Sequence, residues 1–188
     1  MIEIVPYNPN WPSEFNRIAA DIRAALGDLA LRIDHIGSTS VPGLAAKDII
    51  DVQVTVADFA PPLVERFLAA GYIYKPGNVS DHRPPLDSSP DEAWEKRFFS
   101  PPDGHRPANI HVRIAGQANW RYALLFRDYL RVHPPMAEAY AELKRRLAHY
   151  AGENRSAYVL TKDPVCDLIA YPAEEWARRT GWGPGESD

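Results

Sequence analysis

Apolar residues alternate with polar ones in several short segments of the chain. This pattern predicts β-strands, because successive side chains of a strand point to opposite faces of a sheet. The five predicted strands span residues 29–36, 48–56, 72–75, 94–99 and 109–114. In the second, Ile50, Val52 and Val54 point one way, whereas Asp51 and Gln53 point the other. The second and fifth strands are therefore expected to have one apolar face and one polar face.

Elsewhere apolar residues recur every three or four positions, which predicts helices. One helix follows Asn10, a short one follows Pro61, and three fill the region after Gly116. We expect Asn119 to cap the first of these three, and two prolines to break or kink the last: Pro164 and Pro172. This order of elements predicts an α+β fold, with a mixed sheet, helices packed on one face and a C-terminal helical segment.

Length and composition narrow the class of protein. The 188 residues fit one domain over 1–180, followed by a disordered tail at 181–188. A hydrophobic content of 45% argues for a folded core, and a net charge of −4 makes nucleic acid an unlikely partner. The chain has no long apolar run and no signal-peptide pattern, and Cys166 is its single cysteine. These features predict a cytoplasmic protein that does not interact with a membrane.

The polar strand faces contain the first candidate site. Asp51, Gln53, His111 and Arg113 are expected to share one face of the sheet. Two interpretations are open: this face is simply exposed to water, or it is a concave surface on which these side chains converge around a ligand.

The loop between the first two strands contains the second candidate site. It reads Gly37-Ser38-Thr39-Ser40 and is followed by Pro42-Gly43 and Lys47. A glycine followed by small hydroxyl residues lets backbone N–H groups approach a phosphate, although Gly-Ser is also ordinary turn chemistry. Lys47 either reaches the same anion or is merely exposed.

Three arginines are further candidates for phosphate binding. Arg97 belongs to the predicted fourth strand, and Arg127 and Arg131 lie four residues apart on a helix, so these two share a face. They either reach over the sheet to a phosphate or form a solvated stripe that pairs with Asp128. The run from Lys144 to Arg146 is expected to be solvated, and Cys166 to be a core thiol.

Several segments together resemble the bacterial GrpB family. They read HIGSTSVPGLAAKDIIDV, NIHVR and NWRYALLFRDYLRVHPPMAEAYAELKRRLA, and the similarity continues from Tyr158 to Lys162. The resemblance covers about residues 7–176 and implies a nucleotidyltransferase-like fold. In that superfamily a Gly-Ser turn binds nucleotide phosphates, which Gly37 and Ser38 match. A strand with Asp-x-Asp binds magnesium, and Asp51 matches its first acid.

The chain also departs from these patterns. Gln53 stands at the second acid position, no carboxylate accompanies His111, and Asp48 and Asn109 replace a proline and a histidine usual in the family. The resemblance therefore implies binding of a nucleotide or another small phosphorylated ligand. It leaves open a metal-assisted nucleotidyl transfer with Asp51 as the catalytic residue, and Asp51 and His111 as ligands of Mg²⁺ or another divalent cation. The alternative is a non-catalytic accessory domain, related to the folding-aid domain fused to dephospho-CoA kinase. A monomer or a homodimer is expected.

Overall fold

A five-stranded mixed sheet forms the centre of the protein, as predicted. The computed structural model describes residues 2–187, without the side chain of Arg155. The strands are β1 (Arg32–Ile36), β2 (Ile50–Val56), β3 (Ile73–Tyr74), β4 (Arg97–Ser100) and β5 (Ala108–Ile114), in the order β1-β2-β5-β4-β3. β2 and β5 pair in parallel and the other neighbours pair antiparallel. The parallel register places Asp51 beside Asn109 and Gln53 beside His111.

Five α-helices surround the sheet. They are α1 (Trp11–Leu26), α2 (Pro61–Ala69), α3 (Ala118–Val132), α4 (Pro134–Ala151) and α5 (Arg155–Thr180). Prolines lie in the first turns of α1, α2 and α4, where a missing N–H costs no hydrogen bond. α5 is not broken, since it continues through Pro164 and Pro172. Asn119 does not cap α3, because the helix begins earlier and Gln117 takes the cap position.

The apolar face of the sheet forms the main core together with α1 and α2. Ile50, Val52, Val54 and Val56 are all buried there, against residues such as Phe15 on α1. Alternation along β2 therefore predicted this face correctly, because every second residue of the strand enters the core.

The polar face is also covered, which corrects the interpretation that water simply wets it. Gln53 and Thr55 are 0% and 1% exposed. Trp120 of α3 explains this burial, because its indole N–H donates to Thr55 Oγ1 at 2.9 Å and its carbonyl accepts from Gln53 Nε2 at 3.3 Å. The C-terminal helices thus form a second layer over the sheet and enclose polar side chains.

A second hydrophobic cluster holds the C-terminal helices together. It includes Leu125, Tyr140 and Ile169 from the three helices, and Val41 and Leu44 from the loop after β1. The loop is therefore anchored in the helical layer. None of the helices in residues 2–187 is both long and apolar enough to cross a bilayer.

The predicted domain boundary and the predicted disorder of the tail remain predictions. Met1 and Asp188, the ends of the two predicted ranges, lie outside the described residues. Within the described part, Arg32 donates to the carbonyl of Gly185 at 3.0 Å, and Ser187 Oγ donates to the carbonyl of Ile33 at 2.6 Å. The last residues therefore lie along β1, the edge strand.

Candidate functional site

A cavity of about 630 Å³ lies between the polar face of the sheet and the C-terminal helices. Its walls come from the loop after β1, from β2 and β5, from the connection between β3 and β4, and from α3, α4 and α5. It is lined by seven of the residues that the sequence singled out: Gly37, Ser38, Thr39, Lys47, Asp51, His111 and Arg113. The fold thus brings the turn and much of the polar strand face into one site.

The turn at the mouth of this cavity requires glycine. Gly37 has φ 68° and ψ −170°, a region of backbone conformation that is essentially restricted to glycine. A Cβ atom there would lie 2.9 Å from both Cβ and Cγ of Asp51, and closer still to Oδ2. The absence of a side chain at Gly37 therefore lets the turn approach the Asp51 carboxylate.

Asp51 lies beside the turn with part of its side chain accessible. The side chain is 28% exposed, and Oδ1 accepts a hydrogen bond from Asn109 Nδ2 at 2.8 Å. Burial raises the pKa of Asp51, and the hydrogen bond from Asn109 opposes this shift. Asn109 thus holds the carboxylate without supplying a positive charge.

A group of four polar side chains, three of them buried and Asp81 half-buried, lies farther along the same face, and we call it the arginine network: Gln53, Asp81, Lys96 and Arg113. Arg113 donates from Nη1 to Gln53 Oε1 at 2.5 Å and from Nε to Asp81 Oδ2 at 2.8 Å. Lys96 Nζ donates to the other oxygen of Asp81 at 2.7 Å. Although burial favours the protonated acid, Arg113 and Lys96 lower the pKa of Asp81 below its usual range. The network therefore pairs two cations with one carboxylate and keeps a net positive charge.

His111 lies between Asp51 and the arginine network as a neutral imidazole. Burial lowers its pKa well below the usual value, and the nearby charge of Arg113 lowers it further. Its Nδ1 lies 3.4 Å from Arg113 Nη2, which can only donate, so Nδ1 accepts and Nε2 carries the proton. Nε2 lies 3.9 Å from Asp51 Oδ1. Neither nitrogen therefore presents a lone pair to the cavity.

Three lysines converge near the turn, and we call them the lysine group: Lys47, Lys144 and Lys162. All three line the cavity. Lys144 Nζ donates to Ser38 Oγ at 2.8 Å and to the carbonyl of Ala45 at 2.5 Å. Burial, assisted by the charge of Lys162, lowers the pKa of Lys144 to about 7. Lys47 lies 4.0 Å from the centre of the Tyr158 ring.

Five predicted ligand-binding residues do not line the cavity: Ser40, Gln53, Arg97, Arg127 and Arg131. Ser40 Oγ donates to the carbonyl of Gly37 at 2.6 Å, within the turn. Arg97 pairs with Val112 in the sheet, so it shares the apolar face and lies over the Phe59 ring at 4.2 Å. Arg127 and Arg131 instead hold the end of β1 and the loop that follows it: Arg127 donates to the carbonyl of His35 in β1 at 3.1 Å, and Arg131 donates to that of Ser40 in the loop at 3.0 Å. Their role in the structure is to position the turn.

Gln53 also lies outside the cavity lining, beneath Arg113 and Trp120. The site in turn contains residues that the sequence analysis did not select. Lys144 was expected to be solvated but is 3% exposed. It follows Tyr140 by four residues, so the inward face of α4 was a usable signal. Cys166 is buried as expected, although Lys162 one helical turn earlier supplies a basic neighbour, with Nζ 3.5 Å from its sulfur.

The residues in this site do not fit a magnesium centre. Two-metal chemistry needs several anionic oxygens directed at one space. Asp51 offers one carboxylate, Asp81 is engaged by two cations, and position 53 is a neutral amide that accepts from Arg113. Among residues 2–187, no group of three or more His, Cys, Asp or Glu side chains could hold a metal ion.

Comparison with known proteins identifies relatives of this chain. A family model described as GrpB protein matches residues 1–171. A dephospho-CoA kinase of Mycolicibacterium paratuberculosis is 38% identical to this chain in an alignment 197 residues long, gaps included. The alignment covers 97% of this chain and 48% of that protein. A UPF0157 protein of Pseudomonas aeruginosa is 41% identical, covering 89% of this chain and 66% of that protein. The chain thus spans about half the length of the dephospho-CoA kinases that it matches.

Solved structures show the same relationship at the level of the fold. The crystal structure of a conserved GrpB protein from Enterococcus faecalis has a TM-score of 0.75 and 29% identity, covering 93% of this chain and 99% of that one. A cytoplasmic RNA terminal U-transferase has a TM-score of 0.51 and 16% identity, and the match covers 77% of this chain and 43% of that one. The second similarity shows a nucleotidyltransferase-like fold and nothing beyond the fold.

Proposed function

The chain belongs to the GrpB family, and we propose that its cavity binds a phosphorylated ligand of the nucleotide class without a metal ion. The observation that carries this proposal is the position of Lys144. Its partners in the described part of the chain are Ser38 Oγ, the carbonyl of Ala45 and the Tyr140 ring, all of which are neutral. A buried ammonium group beside a hydroxyl-rich turn attracts an anion, because its charge is not compensated by a carboxylate in contact.

Aromatic residues extend from this lysine along the cavity wall. Lys144 Nζ lies 4.6 Å from the Tyr140 ring centre, and successive ring-to-ring distances from Tyr140 through Phe126 and Tyr122 to Trp94 are 5.7, 6.2 and 5.7 Å. All of these residues line the cavity. A ligand with a phosphate at Ser38 and Lys144 would place an aromatic base against this wall, where stacking stabilises a base by about 1–3 kcal/mol.

Nucleotidyl transfer receives less support than binding. The catalytic assignment of Asp51 depends on a metal ion that its neighbours do not help to hold, because Asn109 is neutral and His111 keeps its Nε2 proton toward Asp51. In the proposed complex Asp51 acts as a hydrogen-bond acceptor for a ligand hydroxyl beside the phosphate. Nucleoside triphosphates are then expected to bind without release of pyrophosphate.

A thermal-shift and calorimetry panel tests the proposal. The ligands are nucleoside mono-, di- and triphosphates, with the unphosphorylated nucleosides as matched controls. We expect only the phosphorylated compounds to raise the melting temperature, and Lys144→Met to lose most of that rise. Lys75→Met, at an exposed position after β3, serves as the control for charge alone. Equal shifts in wild type and Lys144→Met would contradict the proposal.

A second candidate function, the accessory domain, is favoured by a different observation. The dephospho-CoA kinase relatives contain a match to nearly the whole chain within about half of their length. In addition, α5 exposes apolar side chains on one face, where Leu160, Leu168 and Tyr171 are 72%, 69% and 39% exposed. Size-exclusion chromatography with the dephospho-CoA kinase of the same cell tests this candidate. Co-elution that Leu168→Glu abolishes would support it.

A further inference from the structure

The Arg113 guanidinium lies where three different acceptor atoms converge on the polar face of the sheet. Gln53 Oε1 lies 2.5 Å from Nη1, Asp81 Oδ2 lies 2.8 Å from Nε, and His111 Nδ1 lies 3.4 Å from Nη2. Arg113 itself is 5% exposed. A carboxylate oxygen, an amide oxygen and an imidazole nitrogen are ligand types that divalent cations take in proteins. Here all three are directed at a side-chain cation.

The convergence depends on two parts of the chain. The parallel pairing of β2 with β5 places Gln53 beside His111 and Thr55 beside Arg113, so the Arg113 side chain reaches diagonally to Gln53. The connection between β3 and β4 then supplies Asp81, and Asn119 Nδ2 holds the same Oδ2 atom at 3.0 Å. Asp81 thus receives donors from three separate side chains, which fixes its carboxylate against Arg113.

From this geometry we infer that Arg113 is a permanent internal cation that occupies the place of a metal ion among Gln53, Asp81 and His111. The guanidinium supplies a fixed positive charge and directional N–H donors at all pH values in the physiological range. For ligand binding, this inference rests on the proposed function, because a phosphorylated ligand would find this charge already present. For metal affinity it stands on the contacts of Arg113 alone.

If Arg113 takes the place of a metal ion, then an acidic residue at position 53 should not create a metal site. A carboxylate introduced by Gln53→Asp would lie near Arg113 and pair with it, so the Asp-x-Asp pattern would be restored without creating a metal site. Removing the guanidinium by Arg113→Gln would instead leave Asp81, Gln53 and His111 without their shared cation. Divalent metal ions should then bind, and the combination of both changes should bind them more tightly.

Mn²⁺ alone is the probe, measured by electron paramagnetic resonance and calorimetry without nucleotide. We expect the wild type and Gln53→Asp to bind Mn²⁺ equally weakly. Arg113→Gln should bind at least about tenfold more tightly, a change of the size seen when groups that support metal ligands are altered. Arg146→Gln is the matched control, because Arg146 is 73% exposed on α4 and pairs with Glu142. It should bind Mn²⁺ as the wild type does.

Equal Mn²⁺ affinity of the wild type and Arg113→Gln would overturn the inference, as would a gain in Gln53→Asp alone. If Arg113→Gln does not fold, the melting temperature of Gln53→Asp, measured with and without Mn²⁺, still tests whether Arg113 takes the place of a metal ion. An unchanged melting temperature supports the internal cation, and a rise with Mn²⁺ contradicts it. These titrations contain no phosphorylated ligand. Their result therefore tests the role of Arg113 even if the protein does not bind a nucleotide.

Discussion

The lysine group and the three charged residues of the arginine network line the same cavity but differ in what their cations contact. Arg113 and Lys96 both donate to the Asp81 carboxylate, so each of these two cations contacts a negative charge that they share. Lys144 donates to a hydroxyl and a carbonyl, which do not compensate its charge. The number of basic residues therefore does not by itself locate an anion site. The proposed anion site lies where a buried cation contacts neutral acceptors.

The largest expected effect comes from breaking the arginine network. Arg113→Met would leave the Asp81 carboxylate with Lys96 as its remaining cation. Removing one partner of a buried ion pair costs about 3–5 kcal/mol, so we expect the free energy of unfolding to fall by about that amount. Denaturant unfolding measures it. Arg146→Met, which removes an exposed pair with Glu142, should change stability by less than about 0.5 kcal/mol. A similarly small loss in Arg113→Met would mean that the network is not tightly coupled.

The turn at Gly37 and Ser38, which lies against both Asp51 and Lys144, gives the next effect. Gly37→Ala forces a side chain into a glycine-only conformation and against Asp51, so we expect a loss of about 2–4 kcal/mol in denaturant melts. Gly43→Ala is the matched control, because Gly43 also has positive φ, at 80°, but has no atom within 4 Å of the added Cβ. Its cost should be about 1–2 kcal/mol. Equal costs at the two positions would show that close approach to Asp51 is unimportant.

Neutralising Lys144, one member of the lysine group, should change ligand affinity more than it changes the stability of the fold. Lys144→Met is expected to weaken binding of a nucleotide or of sulfate about tenfold, which corresponds to about 1.4 kcal/mol. Sulfate keeps its charge across the neutral range, so its calorimetric titration isolates the protonation state of Lys144. Because the pKa of Lys144 is lowered to about 7, wild-type affinity should fall as pH rises above 7. Lys144→Met should show a flatter profile, and parallel profiles would contradict this assignment.

Lys144 should affect stability in the opposite direction as pH rises. Its pKa is lowered from 10.5 in the unfolded chain to about 7 in the folded protein. Between these values the unfolded state binds more protons, so the contribution of Lys144 to stability rises with pH from 7 toward 10.5. The difference in free energy of unfolding between wild type and Lys144→Met isolates this contribution. A difference that stays constant from pH 6 to pH 10 would show that the ammonium is not desolvated.

The smallest effect is expected at Asp51, which lies between the two groups. Burial raises its pKa, so at neutral pH the charged carboxylate costs stability, and this cost disappears as pH falls through the folded pKa. Asp51→Asn keeps an acceptor for Asn109 and should gain about 0.5 kcal/mol at neutral pH. The gain should vanish in acid. A loss of several kcal/mol in denaturant would show that the Asp51 charge is a structural requirement.

Much of the fold followed from local patterns in the sequence. Alternation along β2 predicted the buried face of Ile50, Val52 and Val54, because strand geometry fixes which side chains share a side. The turn at Gly37 and Ser38 was also predictable, because glycine readily adopts positive φ and small hydroxyl side chains hydrogen-bond the nearby backbone. Both predictions depend on residues close together in the chain.

The charge pairing of the site was not predictable in the same way. Asp81 lies 32 positions before Arg113, in a proline-rich connection whose path no local pattern fixes. Arg127 and Arg131 share a helix face, as expected, but the face contacts the outside of the turn. Which cation meets which acceptor depends on how distant elements dock, and a sequence pattern does not contain that information.

Calorimetric titration of the wild-type protein with a nucleoside triphosphate, once in chelator and once in excess Mg²⁺, tests the central claim most directly. If Arg113 and the lysine group provide the positive charge, the two dissociation constants should agree within about threefold, or about 0.7 kcal/mol. Binding that is undetectable in chelator and appears only with Mg²⁺ would contradict a metal-independent site.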